Sequence, residues 1–223
     1  MNDFQRTSEW YLARKGHLTA SEIADILVKG RGKDEIFGKT ALTYLNGKVA
    51  ERFMEDDMFV YYQEDVKKSA PALRWGTEYE STAIEQYELA TGNKVMNCPF
   101  MELKGYEGYV GGSPDGRLST LDRIIEVKCP YNPTVQIEHC KWTKPEDLKA
   151  GNLTYYCQVM LNMLITGTKF CDFISYSPLY RNGLDLHILE IPLDEEYAKL
   201  LLERIELGVA YIKEQEKLIK DIS

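Results

Sequence analysis

The residues of this chain best suited to chemistry are Asp115, Glu126 and Lys128, within residues 111–130, GGSPDGRLSTLDRIIEVKCP. Ser113-Pro114-Asp115-Gly116 is turn chemistry: proline fixes φ, and glycine relaxes the backbone just after the aspartate. Residues 123–129 have the β-branched, apolar character of a buried strand (Ile124, Ile125, Val127). Glu126 and Lys128 interrupt that run two positions apart, which on a strand means the same face. Asp115, on the preceding turn, can meet Glu126 across a hairpin. Two hard oxygen donors and a lysine then converge, a set that favours a Mg²⁺-like ion with the lysine placed to orient or deprotonate a water. A Glu-x-Lys pair on a strand is ordinarily a solvated face with a weak ion pair. Here the apolar flanks make charge expensive unless it is paired or metal-bound.

The surrounding elements must hold these groups. A helix over 77–91 ends at Gly92 and carries Glu80, with Ala83, Ile84 and Tyr87 at i+3, i+4 and i+7. That spacing puts the acid on the buried stripe, where it must be paired or ligating. Residues 152–166 form a strong helix on which Tyr155 and Gln158 lie together; from the residues alone this is an ordinary helix face. Residues 4–15 suit a short helix with Phe4, Trp10 and Tyr11 on its apolar side, ended by Gly16. Thr19-Ala20-Ser21-Glu22 is a capping-box pattern that predicts a second helix with Ile23, Ile26 and Leu27 inward. Gly30-Arg31-Gly32-Lys33 is a basic loop, by composition a solvated turn. A helix over 39–54 is broken or weakened at Gly47, and 55–72 reads as a helix, a lid or an insert. Strands over 94–101 and 106–112 lead into the hairpin, and 131–151 reads as a loop plus a short helix. Strands over 170–176 and 184–191 flank the hairpin signal Asn182-Gly183, and an amphipathic helix over 194–222 closes the core or packs on a neighbour. With no repeat, low-complexity tract or linker, residues 1–223 read as a single α/β domain, a mixed central sheet flanked by helices.

Asp115, ten residues, then Glu126-Val127-Lys128 resembles the metal-dependent nuclease motif PD-(D/E)xK. The neighbours narrow the resemblance to the lambda-type (YqaJ-like) viral exonuclease family, whose S-P-D-G and E-x-K-C-P stand here at 113–116 and 126–130. In the same order stand Trp10 with Arg14-x-Gly16, Thr19-Ala20-Ser21-Glu22, Trp75-Gly76-x-x-Tyr79-Glu80 and Tyr155-x-x-Gln158, so the resemblance spans residues 5–195.

The resemblance implies a restriction-endonuclease-like core. It also implies Mg²⁺-dependent hydrolysis of DNA, with Mn²⁺ a possible substitute and two ions per site. Asp115, Glu126, Glu80 and the Val127 carbonyl would hold metal, and Lys128 would handle the attacking water. Gln158 becomes a site residue, with Ser113 and Tyr155 in support. Arg14, Ser21 and Arg31 align with residues that hold the terminal 5′-phosphate, a role that suits guanidinium forks and a helix N-terminus. Further implications are 5′→3′ digestion of linear duplex DNA, a ring-shaped homotrimer, a single-strand-annealing partner and a phage or prophage recombination role in a bacterial cytoplasm. An endonuclease of the same fold is the nearer alternative, and a non-catalytic nucleic-acid-binding module the more distant one.

Length and composition set outer bounds. A chain of 223 residues accommodates one domain with a substantial core. A net charge of −8 counts against a generic nucleic-acid binder, but the distribution softens this. Residues 1–48 hold eight Lys/Arg against six Asp/Glu, whereas 190–223 hold five against nine. Local charge near the hairpin is permissive for phosphate. Five cysteines, at 98, 129, 140, 157 and 171, are odd in number and lack a Cys-x-x-Cys pair, which argues against a disulfide framework or structural zinc. His17, His139 and His187 match no ligand spacing and read as structural or surface residues. The N-terminus lacks a signal-peptide pattern and no run approaches membrane-spanning length, so the expectation is a cytoplasmic protein without a membrane partner.

Overall fold

The strand Arg123–Lys128 (β6) lies inside a five-stranded sheet, and its neighbours account for its sequence. In this computed structural model, which describes residues 7–32, 35–66 and 71–222, β6 runs parallel to Phe170–Tyr176 (β7) along its whole length. On its other side it is antiparallel to Gly116–Leu118 (β5), with Gly116 opposite Ile125. Val95–Met96 (β2) pairs outside β5 and Leu186–Pro192 (β8) outside β7, giving the order β2-β5-β6-β7-β8. A strand paired on both edges and covered on both faces is apolar on both. Accordingly Ile125 and Val127 pack under Ala83 and Tyr87 of Pro71–Thr91 (α4). Ile124 joins the larger core, built with Leu153–Thr166 (α7) and Glu195–Lys220 (α8). Glu126 is the acid in this run, and it is 1% exposed.

The parallel β6–β7 pair needs a crossover, and α7 supplies it together with Pro133–His139 (α5) and Pro145–Gly151 (α6). The loop and single short helix expected over 131–151 are therefore two helices, each opened by a proline at a position with no N–H to lose. Asn152 caps α7 by accepting the Tyr155 N–H, and Asp194 caps α8 by accepting that of Tyr197. Asn182 and Gly183 both take positive φ, as the turn signal required.

The expected mixed central sheet is accompanied by a second, smaller one. Among the described residues, Leu18–Thr19 (β1), Val110–Gly112 (β4) and Met101–Glu102 (β3) form a separate sheet in the order β1-β4-β3. The break between β4 and β5 falls at Ser113-Pro114-Asp115. Pro114 has no N–H to donate, and the Asp115 side chain accepts the Val127 N–H at 2.7 Å in place of a backbone carbonyl.

The helix expected after the Thr19 capping box is corrected. Residues Ala20–Leu27 form a 3₁₀ stretch without a side-chain cap, although Ile23 and Ile26 are buried as expected. The Thr19 N–H, which Glu22 would accept in a capping box, goes instead to the Tyr44 hydroxyl at 3.0 Å. Glu22 accepts the Thr19 hydroxyl at 3.1 Å and pairs with Lys48 at 3.2 Å. Tyr44 and Lys48 stand on Lys39–Phe53 (α2), which runs unbroken through Gly47. Arg204 on α8 secures the far end of the 3₁₀ stretch, donating to the Ile26 carbonyl at 2.6 and 3.0 Å and to that of Ile36 at 3.1 Å.

Ser8–Arg14 (α1) ends at Gly16, whose φ is +68°. A Cβ there would also lie 2.3 Å from Cγ of Arg52, which donates to the Gly16 and Gly108 carbonyls. Phe4 lies outside the described residues. Of 55–72, Asp56–Tyr61 (α3) and a π-helical turn over Tyr62–Val66 are described, and Pro71 opens α4 six residues before the expected start.

Candidate active site

The strand period places Glu126 and Lys128 on one face of β6, and their side chains meet: Lys128 Nζ donates to Glu126 Oε1 at 2.6 Å. Lys128 Nζ also donates to Gln158 Oε1 at 3.1 Å and lies 4.9 Å from the Tyr155 ring centroid. Gln158 and Tyr155 stand on α7, which crosses this face of the sheet. Asp115 comes from the β4–β5 turn and is fixed by the Val127 N–H.

Burial raises the Asp115 carboxyl well above the usual carboxylate range, with further elevation from Glu126 and Glu80; Lys128 and the Val127 N–H pull the other way. Burial by itself would lower the Lys128 ammonium, but Glu126 and Asp115 overcome it and hold the group above its ordinary value. One lysine thus faces three carboxyl groups, of which Glu126 is buried and Asp115 and Glu80 are half-buried.

A cavity of about 410 Å³ opens onto these groups. Glu80, Ser113, Asp115, Glu126, Val127, Lys128, Tyr155 and Gln158 all line it, and so do Arg14 and Ser21. The helix period therefore placed Glu80 correctly: it lies half-buried on α4 above Ala83 and Tyr87 and faces the cavity. Arg14 lies over the Trp10 ring, 4.2 Å from its centroid, and donates to Ser21 Oγ at 3.2 Å. Burial lowers its guanidinium from the ordinary value, and Glu22 and Glu51 pull the other way. A guanidinium beside a hydroxyl has donors of the kind that suit an anion.

Arg31 is not brought to this cavity. Its side chain lines a separate one with Lys29, Phe37 and Tyr211, between the 28–38 segment and α8. The Arg204 bonds to Ile26 and Ile36 tie that segment to α8, and composition alone carries no sign of them.

Sequence reasoning missed Asn162. It lines the same cavity, is fully buried, and donates from Nδ2 to Glu126 Oε2 at 3.0 Å. The available signal was an amide inside the buried run Val159–Met163, one turn after Gln158. His17 and His139 are buried structural groups: His17 bonds Glu102 at 2.9 Å and His139 bonds Ser175 Oγ at 2.7 Å.

The donor set suits a hard cation. Asp115, Glu80 and Glu126 are oxygen donors crowded enough to raise Asp115, and a cation would relieve that crowding. Among the described residues no three His, Cys, Asp or Glu side chains are already gathered as a ligand set. Glu126 is bonded instead to Lys128 and Asn162.

Comparison with known proteins matches the model of the YqaJ-like viral recombinase domain to residues 9–169, a span that contains every described residue lining this cavity. The chain belongs to the YqaJ-like viral recombinase domain family. Among solved structures it is similar to the alkaline exonuclease LHK-Exo of Laribacter hongkongensis. The match has 24% identity and TM-score 0.75, over 96% of this chain and 97% of that one. The structure of LHK-Exo with dAMP matches at 25% identity and TM-score 0.76 over the same shares. A phage-related exonuclease of Haemophilus somnus 129PT has the same fold at 16% identity and TM-score 0.65, covering 93% of this chain and 96% of that one. No curated protein matches. The mixed α/β architecture is thus that of the PD-(D/E)xK-type alkaline exonuclease fold, and no described helix is long and apolar enough to cross a membrane.

Proposed function

We propose that this chain of the YqaJ-like family is a Mg²⁺-dependent exonuclease that hydrolyses linear duplex DNA. It digests the 5′-ended strand in the 5′→3′ direction and leaves a 3′ single strand for recombination. The observation that carries the reading is that one cavity holds both the Asp115–Glu126–Lys128 set and the Arg14–Ser21 anion seat. The exonuclease description of LHK-Exo and its complex with dAMP support it.

Asp115, Glu126, Glu80 and the Val127 carbonyl are the groups that would hold Mg²⁺, or Mn²⁺ in its place, with room in the donor set for two ions. The bound metal would polarise the scissile phosphate and stabilise the leaving oxygen. Lys128 has three N–H donors; two go to Glu126 and Gln158, and the third is available to the attacking water or a phosphate oxygen. Lys128 is thereby placed to orient or deprotonate that water. Gln158 and Tyr155 fix the ammonium from the α7 side, and Ser113 stands beside Asp115 on the turn.

Arg14 and Ser21 offer their donors to a terminal phosphate, which carries more charge than an internal diester and suits a desolvated guanidinium. A terminus seated there presents the first linkages to the carboxylates, so hydrolysis begins at an end. The net charge of −8 is compatible because the excess acid lies in α8 and in 51–65. A homotrimeric ring around the duplex, a single-strand-annealing partner and a phage or prophage role in the bacterial cytoplasm belong to the same reading.

The test uses 5′-phosphorylated linear duplex labelled at either end and covalently closed circular DNA, each with Mg²⁺. Loss of nucleotides from 5′ ends with intact circles is the expected result. Cut circles would make this an endonuclease of the same fold. Binding without cleavage in Mg²⁺ or Mn²⁺ would make it a non-catalytic DNA-binding module.

A further inference from the structure

Glu126 is a carboxylate at 1% exposure in a strand paired on both sides, so its oxygens depend on side-chain donors. Oε1 accepts Lys128 Nζ at 2.6 Å and Oε2 accepts Asn162 Nδ2 at 3.0 Å. Lys128 in turn donates to Gln158, one turn before Asn162 on α7. Two amides on one helix therefore hold the two ends of the Lys128–Glu126 pair.

Asn162 is an uneconomical choice for packing alone. It is fully buried in a helix segment otherwise made of Val159, Met160, Leu161 and Met163. Its Oδ1 is buried and, among the described residues, accepts no hydrogen bond. A buried acceptor left in this way costs on the order of 1–3 kcal/mol. The fold also makes room for the amide: a Cβ at Gly112 would lie 2.4 Å from Asn162 Oδ1, so the second glycine of the GGSPDG stretch is needed for the approach of β4 to α7. The amide cannot be reversed without turning Oδ1 onto the Glu126 carboxylate.

We propose that Asn162 is a positioning residue. It pins Glu126 through Oε2 in the rotamer that presents Oε1 to Lys128 and the cavity, and thereby sets the affinity of the acidic cluster for a divalent cation. This inference rests on the nuclease reading of the same site. Its role would be that of an outer partner to a ligating carboxylate, whose loss typically weakens metal binding or activity 10- to 100-fold.

The experiment is calorimetric titration of the full chain with Mn²⁺ in the absence of DNA. It compares wild type with Asn162→Leu, Glu126→Gln and the double variant, alongside thermal melts and cleavage kinetics. Asn162→Leu is expected to weaken Mn²⁺ binding about 10- to 100-fold and lower kcat by a similar factor, with KM for DNA within about twofold. In the Glu126→Gln background the same substitution is expected to add nothing, because Asn162 acts through Glu126. Wild-type Mn²⁺ affinity and kcat in Asn162→Leu would overturn the proposal, and so would a loss confined to melting temperature. If Asn162→Leu does not fold, Asn162→Ser, whose hydroxyl is too short to reach Glu126, takes its place. Failure of both to fold would make Asn162 a residue of the core and overturn the proposal. Wild type that binds no Mn²⁺ and cleaves no DNA would remove the nuclease reading itself, an outcome separate from a normal wild type with an unaffected Asn162→Leu.

Discussion

Asp115 Oδ2 accepts the backbone N–H of Val127 at 2.7 Å, so the first carboxylate of the site also holds the strand that carries the second. Eleven residues apart in sequence, the two acids are locked to one another by a bond that belongs to the fold. This coupling gives Asp115→Asn an unusual expected profile. The amide oxygen still accepts from Val127, while the carboxylate that burial and Glu126 disfavour is gone. Nuclease activity should fall on the order of 10²–10³-fold, with a melting temperature in metal-free buffer at or above that of wild type. Paired activity and melting measurements check both halves.

Arg14 and Arg31 should separate in their effects. Wild type is expected to prefer a 5′-phosphate over a 5′-hydroxyl end. Arg14→Ala should abolish that preference, a loss of roughly 10- to 100-fold for one charge-assisted contact of about 1.5–3 kcal/mol. Arg31→Ala, whose side chain lines another cavity, should keep it. Cleavage rates on the two substrates are the measurement.

Gly16→Ala should destabilise the chain without touching the cavity. The φ of +68° disfavours a Cβ, and that Cβ would meet the Arg52 side chain that ties Gly16 to Gly108. A loss of about 1–3 kcal/mol is expected, which for a chain of this size lowers Tm by several degrees. Thermal unfolding followed by circular dichroism checks it.

His139 should make the fold acid-sensitive. Burial lowers its pKa to about 4 from an ordinary value of 6.5, and His187 and Lys128 push the same way. A depressed histidine binds its proton in the unfolded chain first, so its contribution is full above pH 6.5 and is lost as pH falls toward 4. By pH 5 the loss is about 2 kcal/mol relative to pH 7.5. Urea unfolding at the two pH values should show it, with a smaller difference in His139→Gln.

Much of the site was legible because strand and helix periods act over short distances. A period of two put Glu126 and Lys128 together, and a period of 3.6 put Glu80 on the covered side of α4. What was not legible depends on partners remote in sequence. Thr19 looked like a capping box until Tyr44, 25 residues later, took its N–H. The sheet divides between β4 and β5 because an aspartate side chain substitutes for a backbone partner at Val127. Arg31 looked like a phosphate ligand by resemblance alone, but the position of its segment is set by Arg204, 168 residues from Ile36. Asn162 was visible as an amide in an apolar run, yet its meaning appears only with Glu126 opposite it.

The most direct test is cleavage of 5′-phosphorylated linear duplex DNA in Mg²⁺ by wild type and by Lys128→Ala, with folding of both verified by circular dichroism. Wild type should release nucleotides from the 5′ end, and Lys128→Ala should be slower on the order of 10²-fold or more. Equal rates in the two proteins, or no cleavage by wild type in either Mg²⁺ or Mn²⁺, would contradict a hydrolytic site built on Asp115, Glu126 and Lys128.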